Sequence, residues 1–174
     1  MPIEHEIKSL IRDIPDFPKP GIVFKDITPL LKSPELANKL VDELVAEFKD
    51  KVDVVAGIES RGFLFGMPLA MKLGVPFVPV RKKGKLPFRT IETSYDLEYG
   101  QASIELHTDA LSKGDRVLLH DDLLATGGTA RASKLLIEQL EAKLVSYSFI
   151  IELSFLNGAK KLGDIPVHSF VKYE

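Results

Sequence analysis

Asp121 and Asp122 stand at the end of an apolar run, VLLH, and two leucines later the chain reads ATGGT, residues 125–129. The two halves of this stretch call for different chemistry. Gly127 and Gly128 permit positive φ and let backbone N–H groups approach an anion. Thr126 and Thr129 offer hydroxyl donors, and the helix expected to follow adds the partial positive charge of its N-terminus. Together these make a phosphate cradle. It lacks the Gly-Lys-Ser/Thr ending of a Walker loop and the spacing of a GxGxxG dinucleotide loop. A phosphate would be repelled by adjacent carboxylates, so Asp121 and Asp122 need another partner. Carboxylates accept hydrogen bonds, and the vicinal hydroxyls of a ribose are two donors side by side. The ligand these residues point to is a phosphorylated ribose. A lone acidic pair would read as a solvated cap, whereas acids, glycines and threonines together at a strand-to-helix junction are harder to dismiss.

Other groups suited to chemistry are few. ESRG, residues 59–62, offers Arg61 and backbone N–H groups at the end of a buried run, a set that suits a diphosphate because a guanidinium grips phosphate oxygens in pairs. Arg81, Lys82, Lys83 and Lys85 form the densest basic run. Alone it reads as a solvated loop; beside a phosphate site it becomes a clamp. The four histidines, His5, His107, His120 and His168, are scattered and cysteine is absent, so no protein metal cluster, disulfide or thiolate nucleophile is expected.

A chain of 174 residues is long enough for one domain with a full core. Its 45% apolar and 28% charged residues exclude disordered and fibrous classes. With 23 basic and 25 acidic residues the net charge is −2, which provides no field for nucleic acid. No stretch approaches the roughly 20 apolar residues of a membrane helix, and the charged N-terminus MPIEHEIKSLIRDI lacks the apolar segment of a signal peptide. The missing cysteines fit a reducing compartment, so a cytoplasmic protein is expected, with neither nucleic acid nor membrane among its partners.

Strands and helices must position these groups. Ile3, Ile7, Leu10, Ile11 and Ile14 recur at helical spacing and predict an amphipathic first helix. Pro15, Pro18 and Pro20 predict an extended connection. Ser33 is placed to cap a helix that Pro34 begins, with Leu36, Leu40, Leu44 and Phe48 on one face. VDVVAGI then reads as a strand, FLFGMPLAMKLG as a helix despite Pro68, and VPFVPV as a strand that Pro79 places at an edge or a strand end. Residues 81–100, polar and without period, predict a long loop. QASIELH, LVSYSFIIEL and VHSFVKY predict strands. The helix after ATGGT has Ala132, Leu135, Leu136 and Leu140 on its apolar stripe. Strands alternating with helices predict an α/β fold, a mainly parallel twisted sheet flanked by helices, with ligands at the carboxyl ends of the strands.

The stretch VLLHDDLLATGGTA resembles the phosphoribosyl-diphosphate (PRPP) binding motif of type I phosphoribosyltransferases. FPKPGIVFKDITPLL, ESRGFLFG, VRKKGKLP and SYDLEYG, in that order, are similar to the adenine-using branch of the family, and the similarity runs from about residue 14 to the C-terminal YE. The resemblance implies the type I fold in a single domain, with an N-terminal hood of residues 1–33 and a core of residues 34–174. It implies purine salvage: transfer of the 5-phosphoribosyl group from PRPP to adenine, giving AMP and diphosphate. PRPP would be bound by Ser60, Arg61, Arg81, Lys82, Lys85, Asp121 and Asp122, together with Ala125, Thr126, Gly127, Gly128 and Thr129. Adenine would meet Val23, Phe24, Lys25 and Leu123, stacked on Phe24 while backbone groups of Val23 and Lys25 read its ring edge. On sequence alone, an ordinary core aromatic is the better reading of Phe24. Glu98 corresponds to a loop glutamate that exchanges a proton with the purine, and Tyr99 beside it shields the site. With Arg61, which supports the leaving diphosphate, these are the implied catalytic residues. Mg²⁺ is the implied cofactor, carried mainly by the diphosphate itself and needing few protein ligands. The implied assembly is a homodimer. Two positions depart from the pattern: His120 stands where an aliphatic residue is usual, and Lys25 where many relatives have arginine.

Two rivals remain at this level. A transferase for a 6-oxopurine such as hypoxanthine or guanine would place a lysine in the strand after the PRPP helix, and LVSYSFIIEL has none. A non-catalytic PRPP-sensing regulator of the same fold would carry a basic nucleic-acid-binding segment, which the net charge of −2 does not suggest.

Overall fold

The computed structural model describes residues 2–96 and 100–174. Helix α1 (Ile3–Leu10) buries Ile7 and stops before Ile14, which lies instead in strand β1 (Arg12–Pro15). Ile11 is already extended, residues 12–15 pair with a second strand, and Pro15 disfavours the α conformation at Ile14. β1 pairs antiparallel with β2 (Val23–Asp26), placing Arg12 opposite Asp26 and Asp13 opposite Lys25. The proline-rich stretch between them closes this hairpin through bonds from the Phe17 N–H to the Ile22 carbonyl, 3.2 Å, and from the Gly21 N–H to Asp16 Oδ1, 2.7 Å. A short helix α2 (Thr28–Leu31) leads to α3 (Pro34–Phe48), which buries Leu36, Leu40, Leu44 and Phe48. Ser33 occupies the cap position of α3, but its hydroxyl makes no capping bond.

The remaining elements are β3 (Val54–Ile58), α4 (Gly62–Leu73), β4 (Phe77–Lys82), β5 (Thr90–Asp96), β6 (Gln101–His107), β7 (Arg116–Leu124), α5 (Gly128–Gln139), β8 (Lys143–Leu153) and β9 (Val167–Tyr173). Seven strands form one sheet in the order β5-β6-β4-β3-β7-β8-β9. The five from β4 to β9 are parallel; β6 runs antiparallel to β4, and β5 to β6. The α/β class and the mainly parallel sheet expected from the sequence are therefore present.

Three local expectations are corrected. Residues 81–100 are not one long loop, because residues 90–96 pair with β6 along their whole length. β5 lies at the sheet edge, so only alternate residues such as Ile91 and Tyr95 pack on the core while Glu92 and Ser94 stay exposed, and its polarity resembles that of a loop. Pro79 sits inside β4, an interior strand. β3 donates to the carbonyls of Pro76 and Val80, so even-numbered residues of β4 face β3 and Pro79 faces β6, which pairs with β4 only at Arg81 and Lys82. The missing N–H thus falls where no partner needs it. Leu135 is exposed; the buried face of α5 is Ala130, Ala132, Ser133, Leu136 and Ile137.

The sheet separates two cores. Val54, Ala56, Ile58, Val117, Leu119 and Phe149 face α5, while Val55, Leu118, Ile150 and Ile151 face α1, α3 and α4. Each of these Val, Leu, Ile and Phe side chains, fully buried, contributes about 1.5–3 kcal/mol. This division carries helices to both faces and opens a crevice at the strand ends.

His120, on β7, is wholly buried, with Nδ1 3.2 Å from Ser148 Oγ and Nε2 without a partner. Burial, helped by His168, lowers its pKa from 6.5 to about 4. Above pH 6.5 the imidazole is neutral in both states; below it the unfolded chain gains a proton that the folded chain refuses until about pH 4. Stability should therefore fall by roughly 3 kcal/mol across that window. Urea unfolding at pH 7 and pH 5 checks this: the variant His120→Leu with Ser148→Ala should show a shallower acid slope. His168, shifted the same way by burial, keeps that slope from vanishing.

Candidate active site

β3 and β7 are parallel neighbours, with Ala56 opposite Leu119 and Gly57 opposite His120. The chain leaves β3 into α4 on one face and leaves β7 into α5 on the other, so the carboxyl ends of these two strands flank a topological switch point. The two sequence motifs converge here. Glu59, Ser60, Arg61, Lys82, Asp121 and Asp122 line one cavity of about 240 Å³. An adjoining space of about 210 Å³ is lined by Asp121, Leu123 and residues 124–130, with Phe149 beneath. Asp121 borders both, which places the acidic pair between a phosphate-sized loop and an arginine-bearing turn.

The two acids differ in environment. Asp122 is buried and takes a hydrogen bond from Arg61 Nε. Asp121 accepts the Asp122 N–H at 2.8 Å. Burial and the neighbouring Asp122 charge raise its carboxyl well above the usual range, an effect that the nearby Arg61 only partly offsets. Arg61 also lies over the ring of Phe24, with 5.3 Å from guanidinium carbon to ring centroid, so one side chain joins the hairpin, the 59–62 turn and the acidic pair. Phe24 is half-buried and meets the edge of Phe17 at 5.3 Å, while Val23 is exposed. The Lys25 side chain turns away, to Asp13 at 2.7 Å.

The basic run does not gather at the cavity as a group. Lys82 lines it. Arg81 instead bonds Glu59 Oε2 through Nε at 3.2 Å and the Lys85 carbonyl through Nη1 at 3.2 Å. The backbone N–H groups of Lys85 and Leu86 each reach Glu105 Oε1 at 2.8 Å. Glu59 and Glu105, which the sequence did not single out, thus brace the turn. Burial pushes the Glu59 carboxyl up, but the Lys82 N–H and the Arg81 guanidinium outweigh it and hold it below the ordinary value. Two further residues were not legible. Tyr95 Oη accepts the Thr129 hydroxyl at 2.9 Å, fixing the loop to β5. Gly158 packs so closely under the loop that a Cβ there would stand 2.1 Å from the Ala125 carbonyl oxygen, and Gly127 holds φ at 79°. Glu98 and Tyr99 lie outside the described residues.

Gly158→Ala should therefore displace the 125–129 loop by about an ångström. A misplacement of that size can cost on the order of a hundredfold in productive binding. Affinity for a phosphorylated-ribose ligand should fall at least about tenfold; calorimetric titration of such a ligand checks this.

An acidic pair set between a glycine-threonine loop and an arginine-bearing turn, at the switch point of a doubly wound sheet, matches the arrangement that the sequence pointed to. Residues 25–163 match the phosphoribosyl transferase domain family, and the chain belongs to it. An adenine phosphoribosyltransferase of Acidothermus cellulolyticus is 58% identical over 167 residues, covering 95% of this chain and 94% of the relative. The crystal structure of the adenine phosphoribosyltransferase of Thermoanaerobacter pseudethanolicus superposes with a TM-score of 0.94 at 52% identity, over 98% of this chain and 99% of that one. That of Saccharomyces cerevisiae, complexed with adenine and an imino-altritol bisphosphate, has a TM-score of 0.91 at 44% identity, over 97% and 98% of the two chains. Within the family, the chain belongs to the adenine phosphoribosyltransferases.

Proposed function

We propose that this chain makes AMP by transferring the 5-phosphoribosyl group of PRPP to adenine, with release of diphosphate. The observation that carries the reading is the position of Asp121, shared between the phosphate-loop cavity and the cavity holding Ser60, Arg61 and Lys82. Residues 125–129 take the 5′-phosphate at the N-terminus of α5, Asp121 and Asp122 take the ribose hydroxyls, and Ser60, Arg61 and Lys82 face the diphosphate. Arg81 and Lys85 shape the basic turn beside it. Adenine stacks on Phe24, with the backbone of Val23 and Lys25 at its ring edge and Leu123 below; residues 1–33 act as its hood. Stacking contributes about 1–3 kcal/mol without choosing among bases, so selectivity rests on the hydrogen-bond polarity of that edge.

The purine N–C1 bond forms as the C1–O bond to diphosphate breaks, through an electron-poor sugar. Arg61 and Lys82 stabilise the charge that develops on the departing oxygens, Glu98 exchanges a proton with the purine, and Tyr99 helps keep water away. Mg²⁺, when bound to the diphosphate, neutralises part of its charge. Among the described residues no group of three or more His, Cys, Asp or Glu side chains is placed to hold a metal ion.

Exposed Leu64, Met67 and Met71 follow one another at helical spacing along α4, and this apolar stripe supports a homodimer. Among the described residues no helix is long and apolar enough to cross a membrane. Together with the absence of cysteine this supports a cytoplasmic enzyme. The lysine of β8, Lys143, is its first residue, at the end remote from the site, which counts against a 6-oxopurine acceptor. The test is a steady-state assay with PRPP and Mg²⁺, offering adenine, hypoxanthine, guanine and orotate. Turnover of adenine alone is expected. Use of a 6-oxopurine would overturn the base assignment, and PRPP binding without turnover of any base would favour a regulator.

A further inference from the structure

Lys25 flanks the base through its backbone in the reading above, yet its side chain is committed elsewhere. Nζ lies 4.0 Å from the ring centroid of Tyr173, the last residue of β9, and 2.7 Å from Asp13 Oδ1 on the paired strand. The Lys25 side chain is only 11% exposed. Lys8 of α1 places a second ammonium 5.2 Å from the centroid of the same ring. Burial, and then the Asp13 carboxylate, raise the Tyr173 hydroxyl pKa, which sets the acid close to this cluster as well. β1 and β2 pair only with each other among the described residues, so hydrogen bonding to the main sheet does not hold them in place. Side-chain ties do, and two of them act besides Arg61 over Phe24. Asp26 takes Arg12 Nη2 at 2.7 Å and the Thr28 N–H at 2.9 Å, fixing the hairpin to α2. Its neighbour Lys25, pointing to the other face, fixes it to the end of β9.

We infer that Tyr173 is a positioning residue for the base site. Its ring, held under the Lys25 ammonium, sets where the backbone of residues 23–25 and the ring of Phe24 stand over the strand ends, without touching the base. A cation over an aromatic face attracts more strongly as water is excluded, and this one is largely shielded. The inference deepens the adenine reading and rests on it.

The test separates the two substrates. In Tyr173→Leu the KM for adenine should rise about tenfold while kcat and the KM for PRPP stay within about twofold, because the desolvated cation–π contact that is lost holds residues 23–25, none of which is assigned to PRPP. Tyr173→Phe keeps the ring and should keep the wild-type KM for adenine. Lys25→Met removes the cation and should repeat the Tyr173→Leu loss; if Tyr173→Leu does not fold, Lys25→Met decides. An unchanged KM for adenine in the folded variants, or an equal rise in both KM values, would overturn the positioning role while leaving the enzyme's function in place. Wild-type protein that ignores adenine would overturn both readings.

Discussion

Replacing Asp121 and Asp122 together by asparagine should weaken PRPP binding at least about a hundredfold while the fold survives. Each carboxylate is assigned a ribose hydroxyl, and a hydrogen bond to a charged group contributes about 1.5–3 kcal/mol, so two such bonds correspond to two or more factors of ten. Asparagine matches aspartate in shape but lacks its charge. The second consequence falls on Arg61, which now pairs with Asp122 and would lose that partner. The single variants should differ for this reason: Asp122→Asn frees the guanidinium over Phe24, whereas Asp121→Asn removes the acid that borders both cavities. The raised pKa of Asp121 adds a pH signature. Hydroxyl donors favour its ionised form, so binding should expel a proton wherever the free enzyme still holds one, and affinity should rise with pH through that range. Calorimetric titration of PRPP in two buffers of different ionisation heat reads both the affinity and the proton. Unchanged affinity in the double variant would remove the ribose assignment.

Glu98→Ala is the variant with the largest expected effect on turnover. A positioned acid–base group contributes about 10²–10⁴ in rate, so kcat should fall by at least about a hundredfold. Affinity for PRPP should change little, because the residues proposed to hold the donor, Ser60, Arg61, Lys82, Asp121, Asp122 and residues 125–129, are separate from it in the chain. Glu98→Gln should behave like the alanine variant, since it keeps the size and loses the proton. Single-turnover rates set beside PRPP affinity separate the roles. An equal loss in both would reassign Glu98 to binding. A pH–rate profile gives a second reading: the limb due to this carboxyl should vanish in either variant.

The class of this protein was legible in its residues because each half of HDDLLATGGT has a chemical meaning that does not depend on the fold. Glycines at a helix start bind anions, and paired acids accept a diol. The strands with continuous apolar runs and the helices with clear stripes were legible for the same local reason: burial on both faces, or on one, leaves a period in the chain. The tertiary structure decided whatever depends on a distant partner. β5 looked like a loop because an edge strand buries only alternate residues. The expected diphosphate clamp is divided, since Glu59 and Glu105 hold Arg81 and the backbone of residues 85–86 as a brace while Lys82 alone reaches the cavity. Gly158, Tyr95 and Tyr173 carry no local signature. Their roles come from a carbonyl, a hydroxyl and an ammonium brought to them from at least 30 positions away in the chain, and only the folded arrangement makes such contacts.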